Sequence, residues 1–237
     1  MINNMYFYIL VTIEMTHDLF KLLIPHTLTL RESYDEGEDI RTFIFDPARP
    51  VKYQAGQYGL WLQHRWVWGK PFRLFTVASP PSDGYIQLST RIRRSDFKQK
   101  LNRMKPGDKL TLFGPIGFFV LPKQSPKHIV LIAGGIGVTP MHALAKEIHN
   151  RKLPIDITFI HSGDDFYLYQ QEMQTYARAA HFVRHDNFAE VLEQTVAELH
   201  SQAMYYISGP PAFVIAAERQ LKDLGVTRVH RDGFLGY

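Results

Sequence analysis

A chain of 237 residues, 45% hydrophobic and 21% charged, has room for one large domain or two small ones, each with its own core. The absence of cysteine excludes disulfides, cysteine-held iron–sulfur clusters, thiolate zinc sites and a thiol nucleophile. The 27 Lys and Arg against 23 Asp and Glu leave a net charge of +4, a mild excess that suits an acidic partner better than nucleic acid.

The apolar run at residues 5–13 is far shorter than a membrane-spanning helix. It has no basic residue before it and no small-residue cleavage site close behind, so it does not read as a signal peptide. Residues 1–25 are expected to be a peripheral extension outside the chemistry, and the chain to be cytoplasmic. Residues 26–30 alternate polar and apolar as a half-buried strand does, and the charged stretch 31–39 reads as a turn. Residues 40–45 alternate again and stop at Asp46-Pro47-Ala48-Arg49-Pro50. Further strands are expected over 56–62, 73–79 and 85–93, the last with Ile86, Leu88 and Thr90 on one face. Phe97, Lys100, Leu101 and Met104 recur at helical spacing, which predicts a helix over 96–104 capped by Ser95 or Asp96. A turn at 106–108, a last strand at 109–113 and a turn at 114–117 follow, and short strands at this spacing suggest an antiparallel barrel or sandwich over 26–122.

The polar, proline-bearing stretch 122–127 reads as a domain boundary. After it the pattern changes. Residues 128–133 are a continuous apolar run, as in a strand buried on both faces. Gly134-Gly135-Ile136-Gly137-Val138-Thr139-Pro140 follows, and residues 141–150 read as a helix with Pro140 at its first position. Strands at 155–160, 182–183 and 205–207 then alternate with helices at 168–178, 188–199 and 213–224. The fold class is therefore β + α/β: a barrel over 26–122, then a parallel sheet flanked by helices over 123–237.

Two stretches carry chemistry. Arg73, Phe75 and Thr76 place a cation, an aromatic ring and a hydroxyl close together. Arg matches a phosphate with a planar donor fork, Phe offers a face to a flat heterocycle, and Thr can bond a ring heteroatom. In a straight strand Arg73 and Phe75 share one face and Thr76 takes the other, so a common ligand requires a bend. An ordinary half-buried strand with a surface Arg has the same pattern. Gly134 to Pro140 joins a buried strand to a helix, where glycines let a backbone approach a pyrophosphate and the helix start offers free N–H groups. The third glycine of the full Rossmann spacing is absent, and a plain tight turn has the same sequence. Ser208-Gly209-Pro210-Pro211 also lies between a strand and a helix, and two such turns on neighbouring strands would frame one crevice.

In this order the motifs resemble the ferredoxin–NADP reductase superfamily, flavin oxidoreductases with an FAD-binding barrel before an NAD(P)-binding domain. The resemblance runs from about His26 to the end. Arg73-Leu74-Phe75-Thr76 resembles the Arg-x-Tyr-Ser/Thr flavin motif and Gly56-Gln57 the Gly-Gln before it. By that match Arg73 holds a flavin phosphate, Phe75 packs on the isoalloxazine and Thr76 bonds near N5. Leu74, Thr90, Ile92, Lys98 and Phe234 complete the implied flavin set. Gly134, Gly135, Gly137, Val138, Thr139 and Pro140 are similar to the nicotinamide-nucleotide loop. Ser208, Gly209 and Pro210 resemble the Cys-Gly-Pro-Pro turn, and residues 231–237 a closing segment that covers the flavin. Thr76, Ser208 and Asp232 are the implied catalytic residues, Asp232 as a proton relay.

The departures are specific. Ser208 stands where many members have Cys, and Lys98 where many have the Ser or Thr that meets the diphosphate. Lys98 can meet phosphate as a point charge. FAD is the implied cofactor, with FMN the alternative. Asp164, Asp165 and Asp186 make the ribose end acidic and lean toward NADH over NADPH, against which stands Arg184. The basic run Arg91, Arg93, Arg94, Lys98, Lys100, Arg103, Lys105 and Lys109 is a solvated face or a landing site for an acidic ferredoxin or flavodoxin. The implied activity is hydride transfer from NAD(P)H to flavin, then electron transfer to a carrier protein, free flavin or an oxygenase. The alternatives are an electron-transfer subunit of a larger complex and a non-catalytic flavin or nucleotide sensor. No metal site is read: the eleven histidines lack ligand spacing, and His142 and His149 are expected on a solvated helix face. Trp61, Trp66 and Trp68 are expected to pack in or around the barrel.

Overall fold

The computed structural model describes residues 21–63, 72–124, 126–199 and 202–233. In the first half β1 (Pro25–Gly37), β2 (Ile40–Pro47), β3 (Tyr58–Gln63), β4 (Phe72–Thr76), β5 (Ile86–Arg91) and β6 (Lys109–Ile116) form an antiparallel sheet. Its order is β4-β3-β6-β1-β2-β5. The chain leaving β4 joins the two ends of that order. Val77 N–H donates to the C=O of Gln57 at 3.0 Å, and Ala78 N–H to that of Gln87, in β5, at 2.9 Å. Alternate residues Leu28, Phe43, Phe45, Trp61, Leu88 and Leu112 fill the interior. Helix α1 (Asp96–Asn102) adds Phe97 and Leu101 to that core, capped by the Ser95 side chain. Trp61 is fully buried, as expected, and its indole N–H donates to the C=O of Phe75 at 3.2 Å. Trp66 and Trp68 lie outside the described residues.

Residues 31–39 are not a turn. They are the second arm of β1, paired with β2 through bulges between Leu30 and Glu32 and between Asp35 and Gly37. The turn shrinks to Glu38 and Asp39, both at positive φ (51° and 62°). This arm is largely solvent-facing, so its charges do not oppose a ladder fixed by β2. Thr42 donates to Glu36 at 2.6 Å and Arg41 to the Ser33 hydroxyl at 3.0 Å, holding the arm in place. Strand β6 likewise runs past residue 113, because Tyr58 still pairs with Ile116.

In the second half the parallel sheet has the order β11-β10-β7-β8-β9. Its strands are β7 (His128–Gly134), β8 (Asp156–Gly163), β9 (Ala179–Arg184), β10 (Ala203–Gly209) and β11 (Val229–Gly233). Helices α2 (Val138–Asn150), α3 (Gln170–Tyr176), α4 (Phe188–Leu199) and α5 (Pro211–Asp223) cover both faces. Ile129, Leu131 and Ala133 pack toward α2 and α3, whereas Val130 and Ile132 pack toward α4 and α5. That two-sided burial is why β7 reads as an unbroken apolar run, and each buried Val, Leu or Ile in it contributes roughly 1.5–3 kcal/mol. Helix α2 starts earlier than expected, so Pro140 is its third residue. The shift is tolerated because N–H groups in a first turn have no intrahelical acceptor. Arg231, Asp232 and Gly233 belong to β11, which pairs with β10, and residues 234–237 lie outside the described residues. No helix among the described residues is long and apolar enough to cross a membrane.

Candidate functional site

Strand β4 keeps strict alternation. Phe72 and Leu74 are about half exposed on one face; Arg73 and Phe75 point to the other, opposite Trp61 and Gly59 of β3. The Phe75 ring lies 5.7 Å from that of Phe97, and the Lys98 ammonium lies 5.8 Å from its centroid. Arg73 donates only to the C=O of Phe72, at 2.9 Å, and no carboxylate pairs with it among the described residues. Burial, then the charges of Arg93 and Arg73, bring the Lys98 pKa down to about 8. Cations converging without a counter-charge fit a bound phosphate. Thr76 turns to the opposite face, is buried, and its hydroxyl has no hydrogen-bond partner among the described residues. Thr90 is buried in β5 and Ile92 packs against the barrel core just beyond it. Phe234 lies outside the described residues.

The glycine turn and the Ser208 turn lie against each other. A Cβ on Gly137 would sit 2.3 Å from the Ser208 carbonyl oxygen and 2.6 Å from the Cα of Gly209. A Cβ on Gly134 would meet the Phe213 ring at 2.6 Å. Both turns therefore stand at the carboxyl ends of the adjacent strands β7 and β10, where open α/β sheets hold ligands. Gly135 takes φ 51°, and Val138, Thr139 and Pro140 form the first turn of α2, with the Thr139 hydroxyl donating to the C=O of Ile136 at 3.2 Å. Ser208 is fully buried and its hydroxyl, like that of Thr76, has no partner among the described residues. Asp232 sits opposite Ser208 in the β10–β11 register, with its carboxyl pushed up to about 6 by burial.

Sequence reasoning missed His161. It is buried at the end of β8, and burial lowers it to about 4, so the ring is neutral. Its Nε2–H donates to the C=O of Gly135 at 2.9 Å, bracing the glycine turn from below. The only signal was a polar residue ending an apolar strand. His142 was misplaced: it is fully buried, not solvated, and its Nδ1 lies 2.8 Å from the C=O of Ala78. His149 is exposed, as expected.

Helix α2 carries most of the contact between the halves. Lys146 reaches Asp83 at 2.8 Å and the Tyr85 hydroxyl at 3.1 Å. Ser82 donates to Glu147 at 3.1 Å, and Asn150 donates to Ser82 and Asp83. The Tyr206 hydroxyl donates to the C=O of Val120 at 3.0 Å, and its ring meets Phe119 edge-on at 5.3 Å. The helix that opens at the glycine turn is thus bonded to the segment that leaves β4.

At the far end of β8 and β9, Arg184 pairs with Asp165 at 2.9 Å, and His185 bonds the Ser162 hydroxyl at 2.8 Å. An open depression of about 570 Å³ on the outer side of α5 is lined by Ile215, Arg219 and neighbours from that one helix. None of the expected site residues lines it. The unpaired Ser208 hydroxyl and the glycine approach make the β7–β10 crevice the better candidate.

No family model matches the chain. It is 26% identical over 215 residues to a flavohemoprotein of Bacillus subtilis, covering 80% of this chain and 54% of that one. It is 28% identical over 174 residues to the glycine betaine monooxygenase reductase subunit of Pseudomonas aeruginosa, covering 69% and 45%. The chain thus spans about half the length of the curated relatives it matches. Among solved structures, the cytochrome b5 reductase domain of Ulva prolifera nitrate reductase shares the fold at a TM-score of 0.74 and 19% identity, covering 89% of this chain and 98% of that one. A ferredoxin NADP+ reductase from Neisseria gonorrhoeae with bound FAD and NADP does so at 0.73 and 17%, covering 88% and 98%. With a barrel followed by a wound α/β half, the chain shares the fold of these reductases, and along four-fifths of its sequence it is similar to a flavohemoprotein.

Proposed function

We propose that the chain is a flavin-dependent oxidoreductase that passes hydride from NAD(P)H to bound FAD and electrons onward to an acceptor. One observation carries the reading: two buried hydroxyls, Thr76 in the barrel and Ser208 in the α/β half, have no hydrogen-bond partner among the described residues. Buried hydroxyls are nearly always bonded, so a ligand is their natural complement. Residues 26–122 would hold the flavin and 123–237 the nicotinamide nucleotide. Bound FAD supplies a hydride acceptor that can release electrons singly or in pairs. Arg73 and Lys98 would hold its phosphates and Phe75 would pack on its ring; Thr76, on the opposite face of β4, would meet the ring edge only where the chain turns from β3 toward β5 just beyond it, and Leu74, Thr90, Ile92 and Phe234 would complete the surroundings. Gly134, Gly135, Gly137, Val138, Thr139 and Pro140 admit the nucleotide diphosphate, while Ser208, Gly209 and Pro210 orient the nicotinamide. Asp232, protonated more readily than an ordinary carboxyl, can hold a proton beside Ser208.

Arg184 is committed to Asp165, and this supports NADH over NADPH, since a 2′-phosphate would have to displace the carboxylate. Relatives named as a monooxygenase reductase subunit and as flavohemoproteins support a protein acceptor. The exposed basic residues between Arg91 and Lys109 offer an acidic ferredoxin or flavodoxin a complementary face. A cytoplasmic setting, where reduced nicotinamide is at hand, belongs to the same proposal. The test is anaerobic titration of the flavin-loaded chain with NADH and with NADPH. Bleaching by either supports the reading, and a flavin left fully oxidised by both refutes it. Arg73→Ala should bleach equally well per flavin but hold less flavin after gel filtration.

A further inference from the structure

We propose that His142 is a positioning residue for hydride transfer, fixing the exit of the flavin strand β4 against the helix that opens at the glycine turn. The proposal rests on the functional reading above and adds a residue that lies outside every motif of the sequence.

His142 is fully buried, and its Nδ1 lies 2.8 Å from the C=O of Ala78. A carbonyl only accepts, so Nδ1 carries the proton. The Nε2 atom faces Glu172 of α3 at 3.3 Å. The ring stacks on Tyr169 with centroids 4.0 Å apart and planes 22° apart. Tyr169 is held at φ 62°, a backbone state that a bulky side chain avoids unless its surroundings enforce it. What enforces it is the barrel: its hydroxyl bonds Ser89 and accepts from Gln87 at 2.8 Å, both on β5. Two stacked rings from the α/β half thus grip the chain leaving β4 and the strand beside it.

Location separates this grip from the rest of the interface. Ala78 is two residues beyond Thr76, about 7 Å of extended chain. His142 is one turn beyond Val138, about 6 Å along the helix. The Lys146 and Asn150 contacts with Ser82 and Asp83 lie one and two turns farther along α2. Those contacts lie away from the site, whereas the His142–Ala78 bond lies two residues beyond Thr76 and one helical turn beyond Val138. Hydride transfer needs the reacting atoms at about 3–3.5 Å, and a displacement near 1 Å lowers the rate by about 100-fold.

The test compares His142→Leu, which fills similar space without the bond to Ala78, with His142→Asn, which keeps an N–H close to Nδ1. Tyr169→Phe keeps the ring and removes the hydroxyl. Each flavin-loaded full chain is mixed anaerobically with NADH or NADPH over a concentration series, and flavin bleaching is followed through one turnover. In His142→Leu the limiting rate should fall at least about tenfold while the nucleotide dissociation constant moves less than about threefold, with most of the rate recovered in His142→Asn. Tyr169→Phe should also slow the limiting rate, and it carries the test if His142→Leu does not fold. Calorimetry of the flavin-free proteins adds a readout independent of turnover: one unfolding transition in the wild type and two in His142→Leu. An unchanged limiting rate, a loss confined to the dissociation constant, or an Asn variant as slow as the Leu variant overturns the proposal. Wild-type protein that bleaches with neither nicotinamide overturns the functional reading and this proposal with it. Wild-type bleaching beside a His142→Leu variant that keeps pace overturns this proposal alone.

Discussion

Replacing Gly137 with alanine is the sharpest probe of the crevice. Gly137 has φ −59° and ψ −8°, an ordinary helical geometry, so its requirement is for space and not for backbone freedom. The added Cβ would lie 2.3 Å from the carbonyl oxygen of Ser208 and 2.5 Å from its carbonyl carbon. These are main-chain atoms and cannot swing aside. Restoring van der Waals contact requires the turn and the end of β10 to part by about 1 Å. Overpacking of this kind costs about 1–3 kcal/mol, which in a chain of this size lowers Tm by about 3–10 °C. The same separation should reduce kcat/KM for the nicotinamide nucleotide by about 100-fold. Two controls isolate the cause. Gly135 has open space but φ 51°, so Gly135→Ala should cost about 1 kcal/mol through strain alone. Gly233 has open space among the described residues and no positive φ, so Gly233→Ala should be silent. Thermal melting and dye reduction by NADH and NADPH should rank the damage Gly137 first, Gly135 second and Gly233 last. A Gly137→Ala variant that melts and turns over like Gly233→Ala refutes the close approach.

Lys98 titrates near 8 in the free protein, and a phosphate beside it would raise that value, so binding takes up a proton above that pH. Flavin-nucleotide affinity should be flat below pH 8 and weaken above it by up to about tenfold per unit, a slope that Lys98→Met abolishes; fluorescence titration showing none in the wild type contradicts this. Burial raises the Asp232 carboxyl from 3.8 to about 6. Its contribution to stability is therefore complete below the unfolded value and is lost as pH rises through about 6. Asp232→Asn should be more stable than wild type at pH 7.5 by about 1–2 kcal/mol, after a discount for partial solvation, and indistinguishable near pH 4; equal melting at both pH values contradicts this. Electron transfer to an acidic carrier protein should slow steeply as salt rises, while reduction of a small uncharged dye does not; parallel salt responses remove the basic face from the account.

The two architectures were legible because each is written in hydrophobic period. Ile129 to Ala133 has no polar break, as burial on both faces requires, and Phe188–Leu199 matches its expected helix end to end. What stayed hidden depends on partners distant in sequence. The charged arm of β1 is a strand because β2 holds its backbone, and no local propensity announces that. Gln87 and Ser89 alternate with Ile86 and Leu88 but are buried, since Tyr169 covers them from the other half. His142 looked like a surface residue for the same reason: the barrel that buries it is contributed by residues 64 and more positions earlier. Within the site, residue types at Arg73, Phe75 and the glycine turn pointed to phosphates and flat rings. The missing hydroxyl partners of Thr76 and Ser208, and the His161 brace, emerge only in three dimensions.

Helix α2 is at once the floor of the nucleotide turn and a rod fastened along its length to the barrel. A ligand that shifts its first turn must push on the chain leaving β4, and a ligand that stiffens that chain must restrain the first turn. If each half binds its nucleotide as proposed, occupancy of one would alter affinity at the other, and linkage would make the two alterations equal in free energy. Whichever nucleotide arrives first would prepare the ground for the second.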